Sequence, residues 1–228
     1  MKSELPQSIA LCAWLNSWRA GLVTTSDCAN AAESITGFHT ISHEAVNISW
    51  RTFLDTVSQD RSLALPALPL PGQPHGVPTT LLQQAAHPEG FVGFGTRGVI
   101  EFLPSSAARF HDIDHAIPVL DRQHARQTFL MQLSESTEQL NSMSVMGNRD
   151  SADNATATAA FLHLPPSPSG RDIETAHLAF KIARVCAFAI NHSQVVNSRS
   201  RDIARISVLR ELERSANDLL RAVAIHYP

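Results

Sequence analysis

The chain has 228 residues, of which 43% are hydrophobic and 17% charged, with a formal net charge of -3; this suits one large globular domain or two packed ones. Residues 171–228 hold nine Lys/Arg against six Asp/Glu. That excess is too small and too spread out to predict a nucleic-acid-binding surface. The apolar run from Ile9 to Leu15 is too short to cross a bilayer, so we expect no membrane association.

Three cysteines, Cys12, Cys28 and Cys186, are widely spaced along the chain. An odd number at such spacing offers no disulfide framework and no paired-cysteine metal site. We therefore expect reduced, buried thiols in a cytoplasmic protein.

The first third of the chain predicts three helices. Apolar residues recur at helical spacing over residues 7–20, and Gly21 suits the end of that helix. A second helix begins near Thr25 and closes at Gly37. A third is predicted over Val46–Val57, because Trp50, Phe53 and Leu54 fall on one face.

The middle of the chain predicts a small, mostly antiparallel sheet. A short strand near Leu63–Leu65 runs into a proline-rich loop, since proline at this density excludes helix interiors and central strands. A brief helix is expected near Thr79–Ala86. Short apolar runs and an alternating segment then predict further strands. These strands are Phe91–Phe94, Val99–Leu103 and Phe110–Leu120.

Helical periodicity returns from Asp121 and predicts a C-terminal bundle. A short helix is expected between residues 150 and 161, and a final helix over about Ser200–Ala224. Between them, Arg171–Ile190 is apolar nearly all round. Such a helix is expected to be buried on most sides, as the central helix of the bundle.

These elements together predict an α+β fold with N-terminal helices, a small mostly antiparallel sheet and a C-terminal helical bundle. We expect an N-terminal α+β part over residues 1–119 and the bundle over 120–228. Because a sheet needs cover on at least one face, the two parts could share one core.

Two segments resemble an uncharacterised protein family of high-G+C Gram-positive bacteria. One is the loop Leu68–Gly76, which is similar to that family's Pro-Gly-x-Pro-x-Gly loop, and the other is Leu209–Ala216 in the last predicted helix. The resemblance and the order of elements cover most of residues 50–225. It implies the architecture and the compartment, but no chemistry.

Two motifs match the spacing of known cofactor-binding or metal-binding sites, but a structural role explains each of them better than binding does. Gly93–Gly98 matches the spacing G-x-G-x-x-G, but a strand is predicted after it, whereas a dinucleotide loop opens a helix. We therefore expect a hairpin turn and no cofactor. His111 and His115 would stand roughly 13 Å apart on a strand that rises about 3.3 Å per residue. That separation is too large for one ion, so we expect no metal.

The polar stripe of the Arg171–Ile190 helix is the strongest candidate for ligand binding. Its cations Lys181 and Arg184, with His177, could contact an anionic small molecule at the edge of a buried helix. Alternatively, these side chains simply extend into solvent. Gly72 and Gly76 in the proline-rich loop could shape the mouth of the same site, or merely bridge layers of structure.

No P-loop, G-x-S-x-G elbow or cysteine–histidine signature is present in the sequence. We therefore expect no catalytic residues, and a non-catalytic cytoplasmic protein that acts through a protein partner, self-association or a small-ligand pocket. The alternative is an enzyme with a dispersed site, where the central helix meets the Pro71–Gly76 loop, acting on an anionic small molecule.

Overall fold

The computed structural model describes residues 5–58, 62–69, 73–82, 90–94, 98–103, 107–114, 116–143, 164–166, 170–191 and 199–226. The predicted α+β architecture is confirmed: helices come first, a six-stranded sheet lies in the middle of the chain, and helices follow. Within these ranges no helix is both long and apolar enough to cross a membrane.

The described residues fall into two compact units. The sheet unit contains residues 5–119, 164–166 and 223–226, and the helical unit contains 120–143, 170–191 and 199–222. The predicted division at residue 119 and the shared core remain predictions.

The sheet unit begins with three helices whose ends follow from the local sequence. Helix α1 spans Gln7–Arg19, α2 spans Thr25–Thr36 and α3 spans Trp50–Val57. A capping box starts α2, in which the Thr24 hydroxyl accepts a hydrogen bond from the Asp27 backbone N–H. Gly37 ends that helix with φ 74°, a left-handed conformation that suits glycine.

Six strands form one mixed sheet in the order β2-β1-β6-β5-β4-β3. Every neighbouring pair is antiparallel except β1 and β6, which run parallel with Ile41 beside Ala108 and His43 beside Phe110. The strands are β1 (Thr40–His43), β2 (Val46–Ser49), β3 (Ala64–Ala67), β4 (Phe91–Phe94), β5 (Gly98–Leu103) and β6 (Ala107–Asp112).

The structure corrects three boundaries within the sheet unit. The predicted helix over Val46–Val57 is instead strand β2 followed by α3, and β1 had no counterpart among the predicted elements. Ser49 explains the break, since its hydroxyl accepts from the Thr52 backbone N–H and starts the helix there. The predicted strand from Phe110 to Leu120 ends at Asp112.

The expected hairpin at the glycine motif is confirmed. Gly93 lies in β4, Gly98 opens β5, and Phe94 pairs with Gly98 across the two antiparallel strands. A Cβ atom at Gly98 would overlap the Phe110 ring, so close packing against β6 accounts for this glycine. A strand, not a helix, follows the motif.

Helix α1 is buried almost all round. Residues 8–13 and 15–17 are all buried, including the polar Ser8, Asn16 and Ser17. Asn16 can be buried because its amide is hydrogen-bonded on both sides. Oδ1 accepts from the Ala64 N–H at 2.8 Å, while Nδ2 lies 3.1 Å from the Ala64 carbonyl oxygen. Nδ2 also lies 3.1 Å from the Ala224 and 3.2 Å from the Ile225 carbonyl oxygens at the end of the last helix. Asn16 therefore joins three distant segments of the sheet unit.

The helical unit contains α5 (Arg122–Ser142), α6 (Gly170–Asn191) and most of α7 (Arg199–Ile225), while a short α4 (Thr79–Leu82) belongs to the sheet unit. Asp121 starts α5 by accepting from the His124 backbone N–H at 2.7 Å. Apolar residues repeat along one face of α7 and are buried. These residues are Leu209, Leu212, Ala216, Leu219 and Val223. The helix predicted between residues 150 and 161 lies outside the described residues.

The expectation that α6 is buried on most sides is wrong. Its fully buried residues, Ala176, Ala179, Phe180, Ala183 and Cys186, follow one face at helical spacing. The rest of its described apolar surface is half-buried, and Leu178 is 41% exposed. Most of its off-face apolar residues are small or β-branched, and they make the helix look uniformly apolar without being enclosed.

Candidate functional site

A notch opens in the sheet unit where β1 ends and β6 continues. β1 stops at His43, beside Phe110, and the chain then turns back into β2, whereas β6 runs on to Asp112. The carboxyl ends of two parallel strands thus lie side by side, a position where open sheets commonly bind ligands. Each end carries a histidine followed by an acid, His43-Glu44 and His111-Asp112.

A cavity of about 490 Å³ occupies this notch, which we call the strand-end cavity. It is open to solvent and combines an aromatic ring with charged groups of both signs. Its lining residues are Ser42, His43, Glu44, Ala45, Arg109, Phe110, His111, Asp112 and Ile113.

The turn between β1 and β2 shapes one wall of the cavity. Glu44 and Ala45 have φ angles of 48° and 63°, and a two-residue hairpin turn of this kind normally uses Asn-Gly. A left-handed conformation costs a non-glycine residue roughly 1–2 kcal/mol. The sheet unit therefore holds Glu44 in the turn at some conformational cost.

The His43 ring is held from two directions. Its Nε2 lies 2.9 Å from Oδ2 of Asp112, and its edge packs on the Phe110 ring at 5.0 Å between centroids. Phe110 in turn packs against Phe53 of α3 at 5.2 Å. This aromatic contact fixes the imidazole against the sheet, although its side chain keeps 23% of its surface exposed.

A second histidine–carboxylate pair joins β5 and β6. His111 Nε2 lies 2.7 Å from Oε2 of Glu101, whose side chain is 2% exposed. Because successive residues of a strand point to opposite faces, His111 lies across the sheet from Phe110 and Asp112. The two pairs are therefore separate, and the His43 side chain is grouped with Asp112 and Glu44 alone.

One ligand atom from each of His43, Glu44 and Asp112 can be chosen so that all three lie within 4.8 Å of one another. No other three His, Cys, Asp or Glu side chains in the described ranges come as close. This cluster was not predicted, because neither β1 nor its parallel pairing with β6 was predicted from the sequence. His115, the partner considered for His111, lies outside the described residues.

A second cavity, of about 380 Å³, lies within the helical unit between α5 and α7. His124 and Gln132 of α5 face Glu211 and Arg214 of α7 across it. Neither cavity includes the sequence-predicted ligand residues His177, Lys181, Arg184 or Gly76 in its lining.

Those predicted residues are divided between the units. His177, Lys181 and Arg184 lie on α6 of the helical unit, with Lys181 exposed and the other two half-buried. Burial lowers the pKa of His177, and the positive charge of Lys181 lowers it further. Their ligand role remains a prediction.

The predicted loop residues belong to the sheet unit. Gly76 has φ 80°, and a Cβ there would overlap the Ala116 carbonyl, so close backbone approach accounts for the glycine. Gly72 lies outside the described residues. A ligand role for either glycine remains a prediction.

The three thiols do not provide a nucleophile. None is in a disulfide, and all are buried. Burial raises the pKa of Cys28 and of Cys186 to about 12. Cys12 donates towards the Ala64 carbonyl at 3.1 Å. A thiol with so high a pKa is protonated near neutral pH and unreactive.

A family model matches most of the sheet unit. Residues 8–109 match the family described as Rv1486c-like protein, N-terminal domain. This Rv1486c-like match covers fewer than half of the 228 residues. It includes His43, Glu44 and Arg109 but ends within β6, before His111 and Asp112. No curated protein and no solved structure matches the chain.

Proposed function

We propose that this is a non-catalytic cytoplasmic protein that binds a small anionic ligand in the strand-end cavity. The observation that carries the proposal is the cavity itself, at the carboxyl ends of the parallel pair β1 and β6. Arg109 lines the cavity from the His111 face of β6, opposite Phe110, and its guanidinium can hold a carboxylate or phosphate through two hydrogen bonds where the ligand reaches around the strand end. Phe110 supplies an apolar surface for the body of the ligand.

The buried, protonated thiols support a non-catalytic role, because they remove one class of nucleophile. Thiols outside disulfides also suit a reducing compartment. We further propose that the Rv1486c-like match and the resemblance at Leu68–Gly76 and Leu209–Ala216 point to one family of high-G+C Gram-positive bacteria.

Saturation-transfer NMR tests the proposal directly. Metal-free protein is screened with a panel of dicarboxylates, tricarboxylates and sugar phosphates, and hits are titrated against two variants. Arg109→Met should weaken binding by at least tenfold, because a charge-assisted contact is lost. Arg51→Met removes an exposed cation on α3 and serves as the matched control. Hits that bind both variants equally would exclude the strand-end cavity as the anion site.

A second candidate function is self-association or contact with a protein partner through α5. Leu130 and Met131 are adjacent on this helix and 47% and 56% exposed. Exposed apolar side chains of this size are typical of contact surfaces. Light scattering after size exclusion would test it: a dimer that Leu130→Ser with Met131→Ser converts to a monomer supports this function, and a monomeric wild type at high concentration argues against self-association.

An enzymatic role has one observation in its favour. The 2.9 Å contact between His43 and Asp112 is the spacing of a general base oriented by a carboxylate. Turnover of a ligand found by the NMR screen, lost in His43→Gln, would establish catalysis. The predicted dispersed site, where α6 meets the Pro71–Gly76 loop, would instead lose turnover on changing Lys181 and Arg184 to Met.

A further inference from the structure

The charges around the strand-end cavity limit what can bind deepest in it. Two carboxyl side chains, Glu44 and Asp112, line the cavity with one guanidinium, Arg109, so acidic side chains outnumber arginines and lysines in its lining. The two carboxylates would repel an anion placed between them and His43. A cation bound there would remove that repulsion and attract the anion instead.

The spacing of the three side chains fits one ion. Nitrogen and oxygen ligands lie about 2.0–2.2 Å from a zinc-like ion, so two ligand atoms at the tetrahedral angle are about 3.3–3.6 Å apart. The ligand atoms of His43, Glu44 and Asp112 lie within 4.8 Å of one another. Rotation of the exposed Glu44 and Asp112 side chains would bring all three into range.

His43 is also prepared for such a role. Its ring is fixed by the edge contact with Phe110, and Nε2 already faces the Asp112 carboxylate. An ion bound by both side chains would replace the shared proton, and Nε2 and Oδ2 would separate from 2.9 Å to about 3.3–3.6 Å. Aligned, deprotonated ligands of this kind lower the cost of ordering a site.

We propose that His43, Glu44 and Asp112 bind one divalent transition-metal ion, which in turn receives the anionic group of the ligand. One imidazole and two carboxylates favour an ion such as Zn²⁺, Mn²⁺ or Fe²⁺ over Mg²⁺, which prefers oxygen ligands only. Three protein ligands leave coordination positions open towards the cavity. This inference builds on the strand-end cavity being the functional site, as proposed above.

A similar pair on the same unit provides the control. His39 Nδ1 lies 2.6 Å from Oε2 of Glu33, but His39 is 89% exposed, and no third acid or histidine in the described part of the chain completes a metal-type group with the pair. If a lone histidine–carboxylate contact were enough to hold a metal ion, both pairs would bind one. If three ligands are needed, only the His43 cluster should.

Cobalt titration of the untagged full chain, stripped of metal on a chelating resin, tests the inference. Co²⁺ should bind one to one and produce the visible absorption of nitrogen–oxygen coordination. His43→Gln, Asp112→Asn and Glu44→Gln should each weaken binding at least tenfold, and His39→Gln should leave it unchanged. Excess Mg²⁺ should not displace the Co²⁺.

Several outcomes would overturn the proposed metal site. These are the absence of saturable one-to-one binding, an equal loss in His39→Gln, and displacement by Mg²⁺ at comparable concentration. Circular dichroism identifies a variant that does not fold, and Glu44→Gln, at an exposed turn, then decides the question. The titration contains no organic ligand, so it tests the metal site alone. Repeating the NMR screen with one equivalent of Zn²⁺ separates an anion that needs the ion from one that Arg109 binds without it, and hits that bind equally with and without Zn²⁺ would contradict the role of the ion in receiving the anion.

Discussion

Helices α1 and α6 illustrate how differently the two units use their helices. Helix α1 contains Ser8, Asn16 and Ser17, yet residues 8–13 and 15–17 are all buried. Helix α6 is almost wholly apolar over residues 185–190, yet it buries one face and leaves Leu178 at 41% exposure. Burial therefore depends on what surrounds a helix. Composition alone would predict that α6 is more buried than α1, and the opposite is observed.

The difference lies in the partners of the polar groups. A buried amide is tolerated where its hydrogen-bonding capacity is used, and Asn16 bonds to segments 48 and more than 200 residues away. An apolar side chain has no such requirement, and many remain exposed in folded proteins. The sequence around α1 gives no sign of those distant carbonyls.

The sharpest test of this comparison is Asn16→Leu. It leaves the Ala64 N–H and the carbonyls of Ala64, Ala224 and Ile225 without the amide, inside a buried region. Cys12 still donates towards the Ala64 and Ala224 carbonyls, which leaves the Ala64 N–H and the Ile225 carbonyl without a side-chain partner. At about 1–3 kcal/mol for each of these two groups, the free energy of unfolding should fall by about 4 kcal/mol.

Urea denaturation measures this loss of unfolding free energy. Asn47→Leu, at an exposed position of β2, is the control. A loss below about 1 kcal/mol would show that Asn16 is buried without being needed.

Phe180 and Phe188 compare the buried and half-buried faces of α6. Phe180 is 2% exposed, so Phe180→Ala should lower the free energy of unfolding by about 3–5 kcal/mol. Phe188 is half-buried, and its replacement should cost about half as much. Equal losses on thermal or urea unfolding would restore the view that α6 is enclosed all round.

Two leucines make the same comparison between the helices. Leu15 of α1 is fully buried, whereas Leu178 of α6 is 41% exposed. We expect Leu15→Ala to cost about 3 kcal/mol and Leu178→Ala less than about 1 kcal/mol in unfolding free energy. The reverse order would place α6, not α1, in the better-enclosed environment.

The smallest expected effect is a pH dependence on α6. Burial, with help from Lys181, lowers the pKa of His177 in the folded protein below its ordinary 6.5. Between pH 6.5 and the lower pKa of the folded state, the unfolded chain binds more protons than the folded protein. The free energy of unfolding therefore falls as the pH drops through this range. His177→Gln should lose less of its Tm than wild type between pH 7.5 and 5. The exposed His124→Gln of the same unit controls for the general loss of a histidine, and parallel wild-type and His177→Gln curves would contradict the prediction.

Local signals were enough for much of the fold. Capping residues and helical periodicity predicted α1, α2, α5, α6 and α7 close to their observed ranges, and glycine placement predicted the β4–β5 hairpin. The error over Val46–Val57 arose because Trp50, Phe53 and Leu54 supply a helical face to a segment whose first four residues pair with β1. The energy of pairing two strands depends on both of them, so the sequence of one strand does not predict it.

The candidate site was missed for the same reason. His43 and Glu44 lie 69 and 68 residues before Asp112, and only the parallel pairing of β1 with β6 brings them together. Two histidine–acid dipeptides were visible in the sequence, yet nothing local indicated that both end neighbouring strands. The candidates chosen instead, on α6 and in the proline-rich loop, came from periodicity and glycine spacing, which describe single elements.

The hydrogen bonds of Asn16 also determine when the sheet unit can finish folding during synthesis. Ala64 is translated first, and Ala224 follows 160 residues later. At about 5–20 residues per second, the interval between them is roughly 10–30 s. For that time the amide of Asn16 has no helix end to bind, and α1 stays partly uncovered on the ribosome. A chaperone that recognises α1 in nascent chains would therefore release it only after residue 225 has emerged.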